Sequence, residues 1–232
     1  EDIDLIGNHG QTFWHIPDEE EYLGHRLRST LQLGEDAMLA EEFYCPVVGD
    51  FRVRDMAAGG LGAPLVPYTE FLLYRSETEC VALQNIGGIG NISFLPAGCG
   101  LDDVLAFDTG PGNMVMDAVT ARLTDGAAAY DAGGALAAQG QVSEKLLRHM
   151  LNDPYLAQRP PKTTGRERYG AEYTASLCAY AGAEGIRLLD VLATATRFTA
   201  ECIAAAVRDY APEPPARLIV GGGGALTAAL MG

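Results

Sequence analysis

Ala106-Phe107-Asp108-Thr109-Gly110-Pro111-Gly112-Asn113 is the stretch on which the reading of this chain turns. Upstream, Val104-Leu105-Ala106-Phe107 is an apolar run of strand length. Downstream, Met114, Val115, Ala118 and Val119 recur at helical spacing, so Asp108 stands where a buried strand is expected to turn into a helix. Open α/β sheets bind their ligands at such places. Gly110 and Gly112 let the backbone approach a ligand, Pro111 stiffens the turn, and free N–H groups at the start of the helix can receive an anion. A carboxylate beside an anion cradle suits a general base or a metal ligand near a phosphate. The alternative is that Asp108 only caps the helix.

The chain has 232 residues, 48% of them hydrophobic, and a mean hydropathy of +0.04, values expected of a core-forming protein with one large domain or two modest ones. No apolar run reaches the roughly 18 residues that span a bilayer. Glu1-Asp2-Ile3-Asp4 lacks the basic start of a signal peptide, so a cytoplasmic protein is expected. The five cysteines, Cys45, Cys80, Cys99, Cys178 and Cys202, are widely spaced and form neither a Cys-x-x-Cys pair nor a ladder with histidines. Buried free thiols are expected rather than zinc or disulfides. A formal charge of −15 argues against a nucleic-acid or anionic-membrane partner, so any anion must be bound locally.

Along the chain, Asp4-Leu5-Ile6 reads as the end of a strand running into a polar turn, Gly7-Asn8-His9-Gly10-Gln11-Thr12. His9, Gln11 and Thr12 can hydrogen-bond sugar hydroxyls, or cap their own backbone. The acidic run from Asp18 to Glu21 reads as a solvated loop or helix start. A helix is expected from Glu35 to Phe43 with Ala37, Leu39, Ala40 and Phe43 buried, then a strand from Val47 to Val53. Asp50, Arg52, Arg54 and Asp55 interleave with Phe51 and Val53 ahead of the Gly/Ala/Pro-rich stretch Gly59 to Pro67. An arginine there could hold a carboxylate or phosphate with its planar fork, or the charges could form a salt-bridge network.

Val81 to Ile86 and Asn91 to Leu95 read as two strands joined by Gly87-Gly88-Ile89-Gly90, a hairpin whose N–H groups could cradle phosphate. A plain tight hairpin would look the same. A helix is expected near Ser143 to Leu151, and Pro160 to Glu167 is too polar and proline-rich to be anything but a loop. Asp190 is expected to cap a long amphipathic helix whose stripe, Val191, Leu192, Ala195, Phe198, Cys202, Ile203, Ala206 and Val207, is core. Arg217 to Val220 reads as a strand, and Gly221-Gly222-Gly223-Gly224 opens another helix at Ala225, close enough for nucleotide contact. No Rossmann or Walker pattern occurs.

Taken together, these residues resemble the anhydro-N-acetylmuramic acid kinase family, with levoglucosan kinases as close relatives. The resemblance covers Gly7 to Trp14, Leu31 to Gly34, Val47 to Asp55, Gly59 to Pro67, Asn85 to Ser93, Phe107 to Asn113, Pro160 to Glu167 and Gly221 to Gly224, in family order. It implies an α/β actin-like ATPase (sugar kinase) fold of two mixed-sheet domains: residues 1–78 with the sugar-binding loops and 79–232 with the phosphate and adenosine turns. It also implies that ATP and water convert a 1,6-anhydro sugar to its 6-phosphate, with Asp108 as catalytic base, in cell-wall recycling. Gly87, Gly88, Asn91, Gly110, Gly112 and Asn113 would approach the phosphates. Gly221, Gly222 and Gly223 would approach the adenosine, and His9, Gln11, Thr12, Arg52, Arg54 and Asp55 the sugar. ATP with Mg²⁺, an anhydro-sugar substrate and a homodimer are the implied cofactors and partners. A levoglucosan kinase and a non-catalytic nucleotide-binding fragment remain alternatives. The family's Gly-Thr-Ser-x-Asp-Gly turn does not occur in the chain, and Leu226-Thr227 stands where the family usually has an Asn. The chain is therefore expected to be truncated at both ends.

Overall fold

The computed structural model describes residues 3–232; Glu1 and Asp2, which begin the acidic N-terminal stretch, lie outside the described residues. The chain divides into two compact units, Glu1–Val66 and Pro67–Gly232. In the first, β1 (Ile6–Gly7), β2 (Gln11–Tyr22), β3 (His25–Leu33), α1 (Asp36–Phe43), β4 (Val47–Val48) and α2 (Phe51–Ala57) follow one another. β1 pairs in parallel with β4, Ile6 beside Val47, and β2 with β3 forms an antiparallel ribbon.

Several expectations change here. The polar turn is shorter than expected: Gly7 ends β1, while Gln11 and Thr12 already begin β2. The acidic run 18–21 is strand, not loop or helix start. It falls where the ribbon's register shifts between Ile16 and Glu20, so the pairing there is irregular, and Glu19 meets Arg26 at 3.3 Å. In α1, Leu39 and Ala40 are half-buried, but Ala37 and Phe43 are exposed. The strand expected through Val53 stops at Val48. Asp50 takes a φ of 57°, the Arg54 N–H bonds back to the Asp50 carbonyl at 2.9 Å, and the chain enters α2. Arg, Met and Ala favour helix, and the alternation of Phe51 with Val53 is too short to outweigh them. Among the described residues of this unit, only Cys45 and Gly62 are buried.

α3 (Val66–Tyr74) leads to the sheet of the second unit, made of β5 (Val81–Ile86), β6 (Ile89–Leu95), β7 (Leu105–Pro111) and β8 (Arg217–Gly221). Its order is β7-β6-β5-β8, with β5 parallel to β8 and the other pairs antiparallel, a mixed sheet. The expected hairpin is β5–β6; Ile89 and Gly90 belong to β6, leaving Gly87-Gly88 as the turn. Around the sheet run α4 (Asn113–Leu123), α5 (Glu144–Leu151), α6 (Arg166–Tyr169), α7 (Ala171–Ala183), α8 (Leu188–Tyr210) and α9 (Ala228–Met231). Ser143 caps α5, its Oγ accepting the Leu146 N–H at 3.4 Å. The segment expected as a loop to Glu167 turns into α6 at Arg166.

Strand alternation divides the sheet's side chains between two faces. Ala82, Ile92, Phe94 and Phe107 pack with Ala206 of α8, while Val81, Leu83 and Leu95 pack with Cys99 and with Phe71 of α3. α8 carries the expected stripe: Val191, Leu192, Ala195, Phe198, Cys202 and Ala206 are buried, Ile203 and Val207 half-buried. Asp190 is not its cap, since Arg187 occupies that position. The Asp190 carboxylate instead pairs with Arg187 and accepts the Gln141 N–H at 2.9 Å, and the Arg187 hydrogen bonds hold its pKa below the usual carboxylate value. After β8, the glycine run forms a 3-10 turn over Gly223–Leu226 before α9, in place of a helix from Ala225. All five cysteines are free, and four of them, Cys45, Cys80, Cys99 and Cys202, are buried. No helix among the described residues is long and apolar enough to cross a membrane.

Candidate active site

Asp108 lies inside β7, half-buried, and Gly112 occupies the cap position of α4, so the helix-cap reading of Asp108 does not hold. The strand has a bulge here: Asn91 pairs with Asp108 and Gly90 with Gly110, which leaves Thr109 as the extra residue. Bulges redirect side chains next to active sites. This one depends on glycines: Gly110 has a φ of 143°, and a Cβ at Gly90 would stand 2.6 Å from the Thr109 hydroxyl. Behind the turn, Thr199 of α8 offers its hydroxyl to the carbonyls of Pro111 and Gly112 at 3.0 and 3.3 Å, tying the turn to the core.

The Asp108 carboxylate is held by a distant loop. Thr163 Oγ1 donates to Asp108 Oδ2 at 2.8 Å, and the Thr164 N–H donates to the same oxygen at 2.9 Å. The Asp108 N–H donates to the Lys162 carbonyl at 3.1 Å, and the Asp108 carbonyl accepts the Tyr155 hydroxyl at 2.7 Å. Burial, reinforced by the Asp108 charge, pushes the Tyr155 phenol up, so it stays a protonated donor at ordinary pH. Register places Gly221, Asn85, Asn91 and Asp108 in one row across β8, β5, β6 and β7. Cross-strand neighbours in such a row lie about 5 Å apart, so it is a polar track from the glycine run to Asp108.

The anion cradle differs from the expectation. The N–H groups of Gly112, Asn113 and Met114 donate to the carbonyls of Gly88, Gly87 and Gly88 at 2.9, 2.7 and 3.1 Å, so the hairpin turn already engages the start of α4. Close backbone approach also accounts for several glycines. A Cβ at Gly112 would stand 2.2 Å from the Gly87 oxygen, at Gly222 2.5 Å from the Ile86 oxygen, and at Gly224 2.2 Å from the Ile86 side chain. Gly221 meets nothing within 4 Å; the nearest atoms are 3.6 Å away at Gly87 and 3.3 Å away at both Gly88 and Gly223. Asn113 Nδ2 donates to the Ile86 carbonyl at 3.2 Å, joining the helix start to the end of β5. Asn113 and Gly223 line a cavity of about 600 Å³ together with Asp117, Tyr130, Thr196 and Thr227. Burial raises the Asp117 pKa.

In the first unit a second polar cluster forms around α2. Arg52 donates from Nε to His9 Nε2 at 2.8 Å and from its guanidinium to the Gly62 carbonyl at 2.6 Å, while the Gly62 N–H donates to Asp55 Oδ2 at 2.7 Å. His9 Nδ1 meets the Gly10 carbonyl at 2.8 Å, which assigns the ring proton to Nδ1. Arg54 is outside this cluster. On a helix it points roughly 200° away from Arg52, whereas a strand would have put both on one face. Thr12 Oγ1 accepts Gln32 Nε2 at 3.3 Å, and Gln11 is exposed.

The sequence model of the anhydro-N-acetylmuramic acid kinase family matches residues 1–232. The chain belongs to that family. It is 50% identical over 235 residues to the anhydro-N-acetylmuramic acid kinase of Caldanaerobacter subterraneus subsp. tengcongensis and 45% identical over 232 residues to that of Clostridioides difficile. Each alignment covers 99% of this chain and 59% of the relative, so the chain spans somewhat more than half the length of the relatives it matches. The solved (R)-2-hydroxyglutaryl-CoA dehydratase component A of Acidaminococcus fermentans aligns over 85% of this chain and 62% of its own, at TM-score 0.38 and 14% identity, a likeness too shallow to carry function across.

In this kinase-family chain, sequence reasoning flagged the segment Pro160–Glu167 but not Thr163 or Thr164 as partners of Asp108, because they lie 55 and 56 residues away. Nor does sequence reasoning single out Asp117 and Tyr130, which line the cavity. For Asp117 a signal exists, since Asn113, Met116 and Asp117 share one face of α4 by helical spacing and line the cavity together.

Proposed function

We propose that this chain carries the catalytic base and the nucleotide turns of an ATP-dependent kinase that opens 1,6-anhydro-N-acetylmuramic acid with water and phosphorylates it at O6. The observation that carries the reading is Asp108, a half-buried carboxylate oriented by two donors, directly ahead of the Gly110-Pro111-Gly112 turn. Water attacks the anomeric carbon and gives a proton to Asp108. The C1–O6 bond breaks with its electrons going to O6, and O6 takes the γ-phosphoryl group as ADP leaves. The product, the muramic acid 6-phosphate, fits a role in cell-wall recycling.

The residues present suit a nucleotide. The cavity beside Asn113 and Gly223 has about the 600 Å³ expected of a small-molecule pocket, and the buried Thr164 hydroxyl next to Asp108 has no partner among the described residues, leaving a polar group for a ligand oxygen. Gly221, Gly222 and Gly223 would border the adenosine, and Gly87, Gly88, Asn91, Gly110, Gly112 and Asn113 the phosphates. Among the described residues no three His, Cys, Asp or Glu side chains gather as an ion site. Mg²⁺ bound with the nucleotide would screen the triphosphate charge, as it commonly does with few protein ligands. His9, Arg52 and Asp55 would meet the sugar, with Gln11 and Thr12 beside them, and the Arg52 cation suits the lactyl carboxylate that distinguishes the muramic sugar from levoglucosan. A homodimer is the assembly the family resemblance implies.

The test is Asp108→Asn in a full-length form of the protein, with ATP and the anhydro sugar. Turnover should fall at least about 10²-fold, the low end for general acid–base catalysis, while ATP and sugar affinities persist. Near-normal turnover would remove Asp108 from the mechanism.

A further inference from the structure

We infer that Thr163 is the positioning residue for Asp108, and that Lys162-Thr163-Thr164 forms a clamp that fixes the orientation of its carboxylate; this rests on the reading of Asp108 as general base. Among the described residues β7 pairs with β6 on one side and lies at the end of the sheet. The loop docks on its other side through the Asp108 N–H bond to the Lys162 carbonyl, at 3.1 Å. From there Thr163 Oγ1 and the Thr164 N–H converge on one oxygen, Oδ2, at 2.8 and 2.9 Å. Two donors on one carboxylate oxygen restrict rotation of the group.

The loop is itself anchored by contacts of Lys162. Lys162 Nζ donates to the carbonyls of Tyr155 and Leu156 at 3.4 and 3.3 Å, and it lies 4.7, 5.6 and 5.9 Å from the ring centres of Tyr155, Tyr210 and Phe107. Aromatic faces attract such a cation. Tyr155 closes the circuit by donating to the Asp108 carbonyl at 2.7 Å. Strand, loop and lysine box therefore fix one another, and the element whose removal leaves the rest in place is the Thr163 hydroxyl.

Thr163→Val keeps the shape and removes that hydroxyl, whereas Thr163→Ser keeps the hydroxyl. In the full-length protein, Thr163→Val should lower kcat at least about 10-fold with the KM for ATP and for the anhydro sugar within about twofold, since a misplaced catalytic group loses rate more than binding. Thr163→Ser should recover kcat to within about threefold of the unmodified protein. A normal kcat in Thr163→Val, or a Ser variant no better than the Val variant, would overturn the positioning role. Asp108→Asn run in parallel separates the two readings: if it retains turnover the general-base assignment fails, and if it alone loses turnover only the clamp fails. A further measurement needs no change at Thr163. In the 232-residue chain, the amide proton resonance of Thr164 should move upfield in Asp108→Asn, because a carboxylate acceptor is lost; an unmoved resonance counts against the clamp even if Thr163→Val does not fold.

Discussion

Asp108 and Asp117 are carboxylates in contrasting surroundings. Asp108 has donors converging on it, whereas the pKa of Asp117 is raised by burial at the cavity wall. A raised folded-state pKa means that the folded protein favours the protonated acid. The penalty for burying the charge is absent below the unfolded-state value, about 3.9, and grows as pH rises through the folded value. Asp117→Asn should therefore raise the melting temperature at pH 7 by no more than about 2–4 °C, and by nothing measurable at pH 3. Equal melting temperatures at pH 7 would show that burial costs the charged form nothing. The type and place of Asp108 were legible in the sequence because a strand, glycines and a helix follow in order. Its partners were not, because Thr163 joins it only through the tertiary fold.

At the scale of elements, legibility followed periodicity. β5 forms over the residues expected of its apolar run, β6 begins two residues early at Ile89, and α8 carries the expected apolar stripe although Arg187 and not Asp190 caps it. Phe51 and Val53 mimic strand alternation over too few residues, and α2 forms there instead, which also separates Arg52 from Arg54. The bulge at Thr109 leaves no local signal at all, since it exists only relative to β6. Glycines were visible, but the reason for each was not. Gly222 has a φ of 83° and a Cβ there would stand 2.5 Å from the Ile86 oxygen, while Gly221 has nothing within 4 Å. Gly222→Ala should thus lose roughly 1–3 kcal/mol of unfolding free energy. Gly221→Ala should stay within about 0.5 kcal/mol. Urea denaturation of the two variants checks the contrast, and equal losses would mean that packing does not distinguish them.

At the scale of the whole molecule, the two units differ in what they bury. Pro67–Gly232 holds the clusters around α8 and both faces of the sheet, whereas the described residues of Glu1–Val66 bury only Cys45 and Gly62. Apolar burial is the main force that opposes chain entropy, so residues 67–232 expressed alone should unfold cooperatively on heating, and residues 1–66 alone should show no cooperative transition. Circular dichroism melts of both pieces decide this, and a sharp transition in residues 1–66 would contradict it. The backbone at Gly112 passes too close to the Gly87 carbonyl to admit a Cβ, and that bears on descent. Selection on folding alone preserves Gly112 and Gly222, whether or not a nucleotide is ever bound, whereas on the proposed reading the carboxylate of Asp108 is kept by chemistry in addition to its bonds with Thr163 and Thr164. A lineage that abandoned catalysis would keep its glycine signature long after position 108 had begun to drift.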